Sequence, residues 1–357
     1  MSSVLSMTTN KTKVRDSNVE LLRILAIMGV ILLHYNNWNV GGGFRYVSPE
    51  SLNQTILFIL ESVFICAVDL FMLITGFFSC KSQKRNLSKV LMLLLQVSVF
   101  RAISYLKSTG GVISGNSFLL ILLPVNYFVI LYTAVYLISP YINLIFQKLT
   151  KQQIVKFLGV CIFLFSFWPT VVDGIESLTG TKNGLSTISM YGSDRGYTFI
   201  NFLLMYMIGA GLKFLNIQIK KRYSVVMFIS CVTVLTIWGK INSSIAWSYC
   251  NPVVVLEAVS VFLLFRQFDL KSKLINSLSK ATFTCFLFHN TILGEYGIAS
   301  AVGQSAVYMV EHIIFTCVTI YFISFLVFQI WNVIAMPIEK LLDSLFAKLK
   351  IDFSVNV

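Results

Sequence analysis

Apolar residues run along this chain in long blocks broken by short polar stretches, without the steady polar face of a soluble helix or strand. Ten blocks are long enough to cross about 30 Å of hydrocarbon as helices. They cover 19–38, 55–79, 88–106, 119–140, 154–170, 197–215, 223–239, 248–265, 281–298 and 307–336. Prolines 140, 169, 252 and 337 are expected near helix ends. With no internal repeat or low-complexity linker, the pattern predicts an all-α integral membrane protein built as a single bundle of about ten transmembrane helices. A tail over 1–18 precedes one domain over 19–340, and a second tail covers 341–357.

Charge sharpens this map. Alternate inter-block segments hold Lys11, Lys13, Arg15 and Arg23; Lys81, Lys84, Arg85 and Lys89; Lys148, Lys151 and Lys156; Lys213, Lys220, Lys221 and Arg222; Arg266, Lys271, Lys273 and Lys280; and Lys340, Lys348 and Lys350. The intervening segments hold only Arg45, Lys107, Lys182, Arg195 and Lys240, and Arg101 falls within a span. By the positive-inside rule both termini are then cytoplasmic in a multi-pass plasma-membrane protein. The net charge of +13 is accounted for by topology and by contact with anionic lipid headgroups, so no nucleic-acid partner is expected.

Composition agrees: 56% hydrophobic and 12% charged residues, with a mean hydropathy of +0.79, exclude a water-soluble domain. The polar first 18 residues and the lack of a small-residue cleavage site make the first block an expected uncleaved signal anchor. Seven scattered cysteines, mostly inside apolar blocks, suit small core residues better than disulfides or a metal site.

Ionisable groups inside the spans are the candidate chemistry, because each is costly in lipid. At 1.5 Å per residue from the basic side, Arg23 lies roughly 6 Å deep, His34 roughly 22 Å, Asp69 roughly 18 Å and Arg101 roughly 20 Å. Glu257 and His289 come out at roughly 14 Å, while Glu61 and His312 fall near the outer surface. Arg23 and His34 are eleven residues apart and so share one helix face, roughly 16 Å apart along the axis. Such a face suits an anionic group at the membrane surface whose reactive end meets an imidazole in the interior. The plainer alternatives are an anchoring Arg23, a hydrogen-bonding His34 and an Asp69–Arg101 ion pair. Three histidines on separate helices at unequal depths make no zinc site, and no metal is expected.

The first block, "NVELLRILAIMGVILLHY", resembles the entry segment of the integral-membrane acyltransferase 3 family, in which an Arg, ten residues and a His recur; Arg23 and His34 match. "AVDLFMLITGFF" is similar to that family's second span, and the likeness continues through "NYFVILYTAVYLISPYIN", "GYTFINFLLMYMIGAGL", "NPVVVLEAVSVFLLF" and "ATFTCFLFHNTI", spanning about residues 17–340. Thr75 stands where Ser is usual and Tyr127 where Trp is frequent; the family's Arg-x-x-Arg is replaced by Lys81, Lys84, Arg85 and Lys89.

The resemblance implies transfer of an acyl group, usually acetyl, from cytoplasmic acetyl-coenzyme A to a hydroxyl of a surface or exported polysaccharide. His34 would be the base or the acyl carrier, with Asp69 and Glu257 orienting its ring and His289 as a further catalytic candidate. Arg23, Lys84, Arg85 and Lys89 would hold the coenzyme A phosphates, and the outer segment 171–196 would meet the acceptor. A flippase for lipid-linked saccharides and a polysaccharide polymerase are the rival classes. Related halves would favour the first and a large outer loop the second, and neither is seen.

Overall fold

A computed structural model describes residues 16–112, 123–182, 184–190, 192–349 and 353–355. Its helices are α1 (Ser17–Asn36), α2 (Leu52–Phe64), α3 (Ala67–Ser79), α4 (Leu87–Ser108), α5 (Tyr127–Lys148), α6 (Lys151–Ile162), α7 (Trp168–Thr179), α8 (Phe199–Leu215), α9 (Lys221–Ala246), α10 (Pro252–Phe265), α11 (Thr282–Leu293) and α12 (Ala306–Lys348). Polar caps set many of the starts. Ser51, Asn86, Asn126, Thr150, Thr198, Asn251 and Ser305 each accept a hydrogen bond from a backbone N–H in the first turn they precede.

Seven helical segments are long and apolar enough to cross a membrane: Ser17–Asn36, Leu52–Ser79, Leu87–Ser108, Tyr127–Lys148, Lys151–Thr179, Lys221–Ala246 and Ala306–Lys348. The other three expected crossings fall on shorter helices, α8, α10 and α11, of 17, 14 and 12 residues. The predicted span 119–140 begins on residues outside those described, and its helix starts at Tyr127. One end of the bundle gathers the basic segments, with Ser17 and Asn18 bonded to the carbonyls of Ser272 and Phe265. At this basic end Lys84–Arg85 (β1) pairs antiparallel with Phe353–Ser354 (β2). The opposite, far end carries residues 37–51, 180–182, 184–190, 192–198 and 240–251.

Helix α1 is the most buried of the long helices. It is apolar nearly all round, as a helix enclosed on every side must be, and it packs on α2, α3, α10, α11 and α12. The tightest neighbours are α3 and α8, whose backbones meet at two glycines. A Cβ on Gly76 would strike the carbonyl of Tyr206, and one on Gly209 that of Leu73. In lipid, where apolar burial drives association weakly, such small-residue contacts let backbones approach closely enough for dispersion to hold them.

Prolines 140 and 337 lie inside α5 and α12, not at helix ends. Proline removes the hydrogen bond to the carbonyl four residues back. For Pro140 that carbonyl belongs to Tyr136, and it accepts instead from Arg85 Nε at 3.0 Å and Ser139 Oγ at 2.6 Å. The freed backbone group is satisfied by a neighbour, the condition under which proline is tolerated in a spanning helix. Helix α12 continues past Pro337 to Lys348, so the tail predicted over 341–357 begins as helix.

The α3–α8 contact predicts opposite outcomes for two substitutions. Gly209→Ala should lower stability by about 2–3 kcal/mol, because the obstructing atoms are backbone. Gly174→Ala, with nothing within 4 Å of the added atom, should be neutral or slightly stabilising. Thermal unfolding in detergent reads both.

Candidate active site

His34 lies in the last turn of α1, and His289 on α11 reaches it. His289 Nε2 and His34 Nδ1 are 2.6 Å apart, with ring centroids at 4.7 Å and planes 25° apart. His289 Nδ1 is 3.0 Å from the carbonyl oxygen of Cys285. A carbonyl only accepts, so His289 carries its hydrogen on Nδ1. In a neutral ring its Nε2 then accepts from His34 Nδ1–H, which leaves Nε2 of His34 as the nitrogen with the free lone pair. His289 is fully buried, whereas His34 is partly open.

Two cavities lie near the histidines, one reaching the turn before them on each helix and the other lined by His34. The first, of about 240 Å³, is lined by Arg23, Val30, Thr75, Tyr132 and Phe286, among others. Val30 and Phe286 stand one turn before His34 and His289 on their helices. Arg23 pairs with Glu20 at 3.3 Å and is 31% exposed, so its guanidinium reaches the cavity without being sealed into the core. Toward the basic end a further cavity of about 420 Å³ is lined by Lys84, Asn86, Lys89, Tyr136, Asp343 and Phe346. It adjoins the Arg23 cavity along two helices, with Tyr136 one turn from Tyr132 and Lys89 one turn from Leu93.

The second, a far-end cavity of about 290 Å³, is lined by His34, Trp38, Glu61, Arg195, Tyr197, Trp247 and Tyr249, among others. Trp247 is held by Nε1–H donation to Ser62 Oγ at 3.2 Å and by stacking on Phe44. Arg195 stands in a left-handed turn, with Asp194, Arg195 and Gly196 at φ 49°, 52° and 75°. The Arg195 carbonyl accepts from the backbone N–H of Tyr249. Of the segment 171–196, residues up to Thr179 are helical, and Arg195 is the part that reaches His34's cavity.

The sequence candidates thus divide. Arg23, His34 and His289 lie along one line of cavities. Asp69 and Glu257 do not orient His34, whose ring partner is His289. Asp69 accepts from Asn201 Nδ2 at 3.0 Å, and Glu257 lies near Asp69 and Cys66 in a separate buried layer. Arg101 donates to the carbonyl of Val125 instead of pairing with Asp69. His312 is bonded to Tyr35 and to the carbonyl of Tyr296, away from the other two histidines.

Arg85 lines the basic cavity, but chain oxygens already engage its guanidinium. They are the carbonyls of Tyr136, Lys84 and Ser82, the Ser139 hydroxyl and, at 3.5 Å, the Tyr206 hydroxyl. Its position answers the carbonyl that Pro140 leaves free, so of this group Lys84 and Lys89 are the cations open to a ligand. Glu61, Tyr197, Trp247 and Tyr249 escaped the sequence reading. Glu61 was visible as an ionisable residue within a block, but its estimated depth set it apart from His34.

The sequence model of a family described as an acyltransferase domain matches residues 16–329. The chain belongs to the acyltransferase 3 family. No curated protein and no solved structure matches it. The part of α12 beyond residue 329, which contributes Asp343 and Phe346, lies outside the family match.

The buried role of Arg85 predicts a split between neighbours. Arg85→Ala removes a buried cation from a ring of chain oxygens, leaving the Tyr136 carbonyl with the Ser139 hydroxyl, and should cost about 1–3 kcal/mol of stability. Lys84→Ala, whose side chain is exposed, should leave the melting temperature unchanged in the same detergent assay.

Proposed function

We propose that this acyltransferase moves a short acyl group, acetyl in the first instance, from acyl-coenzyme A to a hydroxyl of a surface or exported polysaccharide. The observation that carries the reading is the hydrogen-bonded His34–His289 pair, with His34 lining the far-end cavity and the Arg23 cavity reaching the turn before each histidine. The basic end faces the cytoplasm of a plasma-membrane protein in this reading, as the lysine and arginine distribution supports. The three shorter helices then complete ten crossings with both termini cytoplasmic.

Lys84 and Lys89 hold coenzyme A phosphates at the basic cavity, with Asn86 as a further donor. The thioester arm passes Arg23 and Tyr132 along the inner cavity to the histidines. The acceptor enters from the far end. His34 Nε2 takes the hydroxyl proton as the oxygen attacks the thioester carbonyl; the C–S bond then breaks, and the thiolate takes the proton from the imidazolium. His289 accepts from His34 Nδ1–H throughout, which keeps Nε2 facing the chemistry and steadies the positive ring. If His34 instead carries the acyl group, the same nitrogen attacks the thioester and the acceptor hydroxyl later displaces it.

The test uses purified protein, radiolabelled acetyl-coenzyme A and base-deacylated surface polysaccharide from the native cell. Transfer should fall about 10²–10⁴-fold in His34→Ala and roughly 10²-fold in His289→Phe, which loses the acceptor that fixes the tautomer. Both variants should remain folded in the membrane. Wild-type transfer by His34→Ala would overturn the mechanism, and absence of any acyl-coenzyme A turnover by the wild type would favour a saccharide transporter.

A further inference from the structure

Glu61 lines the far-end cavity beside His34 but belongs to a different helix, α2. Its carboxylate is anchored: Asn36 Nδ2 donates to Oε2 at 2.8 Å. Asn36 is fully buried and sits two residues after His34 on α1, so the helix that presents the imidazole also fixes the carboxylate. The amide reaches the Leu57 carbonyl as well, at 3.5 Å, which ties the Asn36 side chain to the body of α2. One carboxylate oxygen is therefore held and the other is left to accept.

No cation lies within ion-pair distance of Glu61 among the described residues. The one basic residue lining the same cavity, Arg195, donates to Ser244 Oγ at 2.9 Å. An unpaired carboxylate in a largely aromatic cavity is expensive unless hydrogen-bond donors reach it. The cavity walls around it are Trp38, Tyr197, Trp247 and Tyr249. Flat aromatic faces beside Glu61, with Asn37, Ser243 and Ser244 on the same lining, suit a ligand with C–H faces and several hydroxyls.

We infer that Glu61 binds the acceptor through a hydrogen bond to a hydroxyl adjacent to the one that His34 deprotonates, and so selects a vicinal polyol such as a pyranose. This rests on the acyltransferase reading. No proton leaves the chain at Glu61 in this role. His34 alone moves the proton, and Glu61 places the hydroxyl against the imidazole.

Glu61→Gln is close to isosteric and keeps an oxygen for Asn36, but it turns the free acceptor into an amide donor. Two rates separate its effects: hydrolysis of acetyl-coenzyme A without acceptor, and transfer to base-deacylated oligosaccharides from the native cell's surface polysaccharide. Glu61→Gln should raise KM for the oligosaccharides about 10–100-fold while hydrolysis and the melting temperature stay within twofold and 2 °C of wild type. Asn36→Ala, which frees the carboxylate, should raise the same KM about 3–10-fold, and Glu61→Asp should fall between wild type and Glu61→Gln. An unchanged KM in an active Glu61→Gln enzyme would overturn this inference alone, as would parallel loss of hydrolysis and transfer. A wild type that turns over no acetyl-coenzyme A would overturn both this inference and the acyltransferase reading.

Discussion

The hydrogen bond between His34 and His289 sets the terms for the structure around it. It joins residues 255 positions apart, so α1 and α11 must meet at one depth with their rings in register. An imidazole pair in an apolar interior tolerates only one arrangement of its hydrogens when one ring is already tied to a carbonyl. The Cys285 carbonyl supplies that tie from within α11 itself, one turn back. The tautomer of His34 is thus decided by a backbone group on another helix, a more rigid device than a mobile carboxylate. Enclosure of α1 by five neighbouring helices then keeps the pair in place.

Elsewhere the bundle shows how a buried charge can answer a need of the backbone. Pro140 frees the Tyr136 carbonyl, and Arg85 donates to it. Around that fork gather Ser139 and Tyr206, and Tyr206 in turn donates to Asn143 at 2.8 Å. Tyr206 is also the residue whose carbonyl lies against Gly76, so the polar network and the close α3–α8 contact share one residue. A chain that lacked Arg85 would lose more than a cation at the basic cavity. It would leave the carbonyl that Pro140 frees with the Ser139 hydroxyl in place of the guanidinium.

Much of this was legible in the sequence, for a definable reason. Apolar block length fixes where helices run, and helical periodicity fixes the spacing of two residues on the same helix. Arg23 and His34 could therefore be placed together without any knowledge of neighbours. Partnerships between helices follow from packing, which no block pattern encodes: Asp69 and His289 both lie at mid-depth, yet only His289 reaches His34. Arg85 was read as a phosphate ligand because the family resemblance gives the basic loop after the second block that role. The signal against it was present in Pro140, which announces an orphan carbonyl but not the donor that fills it. Glu61 illustrates the opposite failure, since α2 breaks from α3 at Ile65 and Cys66 and brings its last turn back beside Asn36. A depth counted along an unbroken helix had set it apart from the imidazole it accompanies.

The two cavities differ in a way that follows from what each must exclude. On the inner side Arg23 is the only charged lining residue among those described, and Val30, Phe71, Leu93, Phe128 and Phe286 make the rest of the wall mostly apolar. In the proposed reaction a thioester arm with few charges lies there, its phosphates at the lysines nearer the surface. On the outer side aromatic rings share the wall with Glu61 and with polar side chains, among them Asn37, Ser243 and Ser244. For that reaction water is the acceptor to be disfavoured, since it would hydrolyse the donor. A hydroxyl seated beside Trp247 and Glu61 would then displace water from His34 and protect the thioester. In the proposed reaction, binding order then matters: donor hydrolysis should be slow when the outer cavity is filled and faster when it is empty.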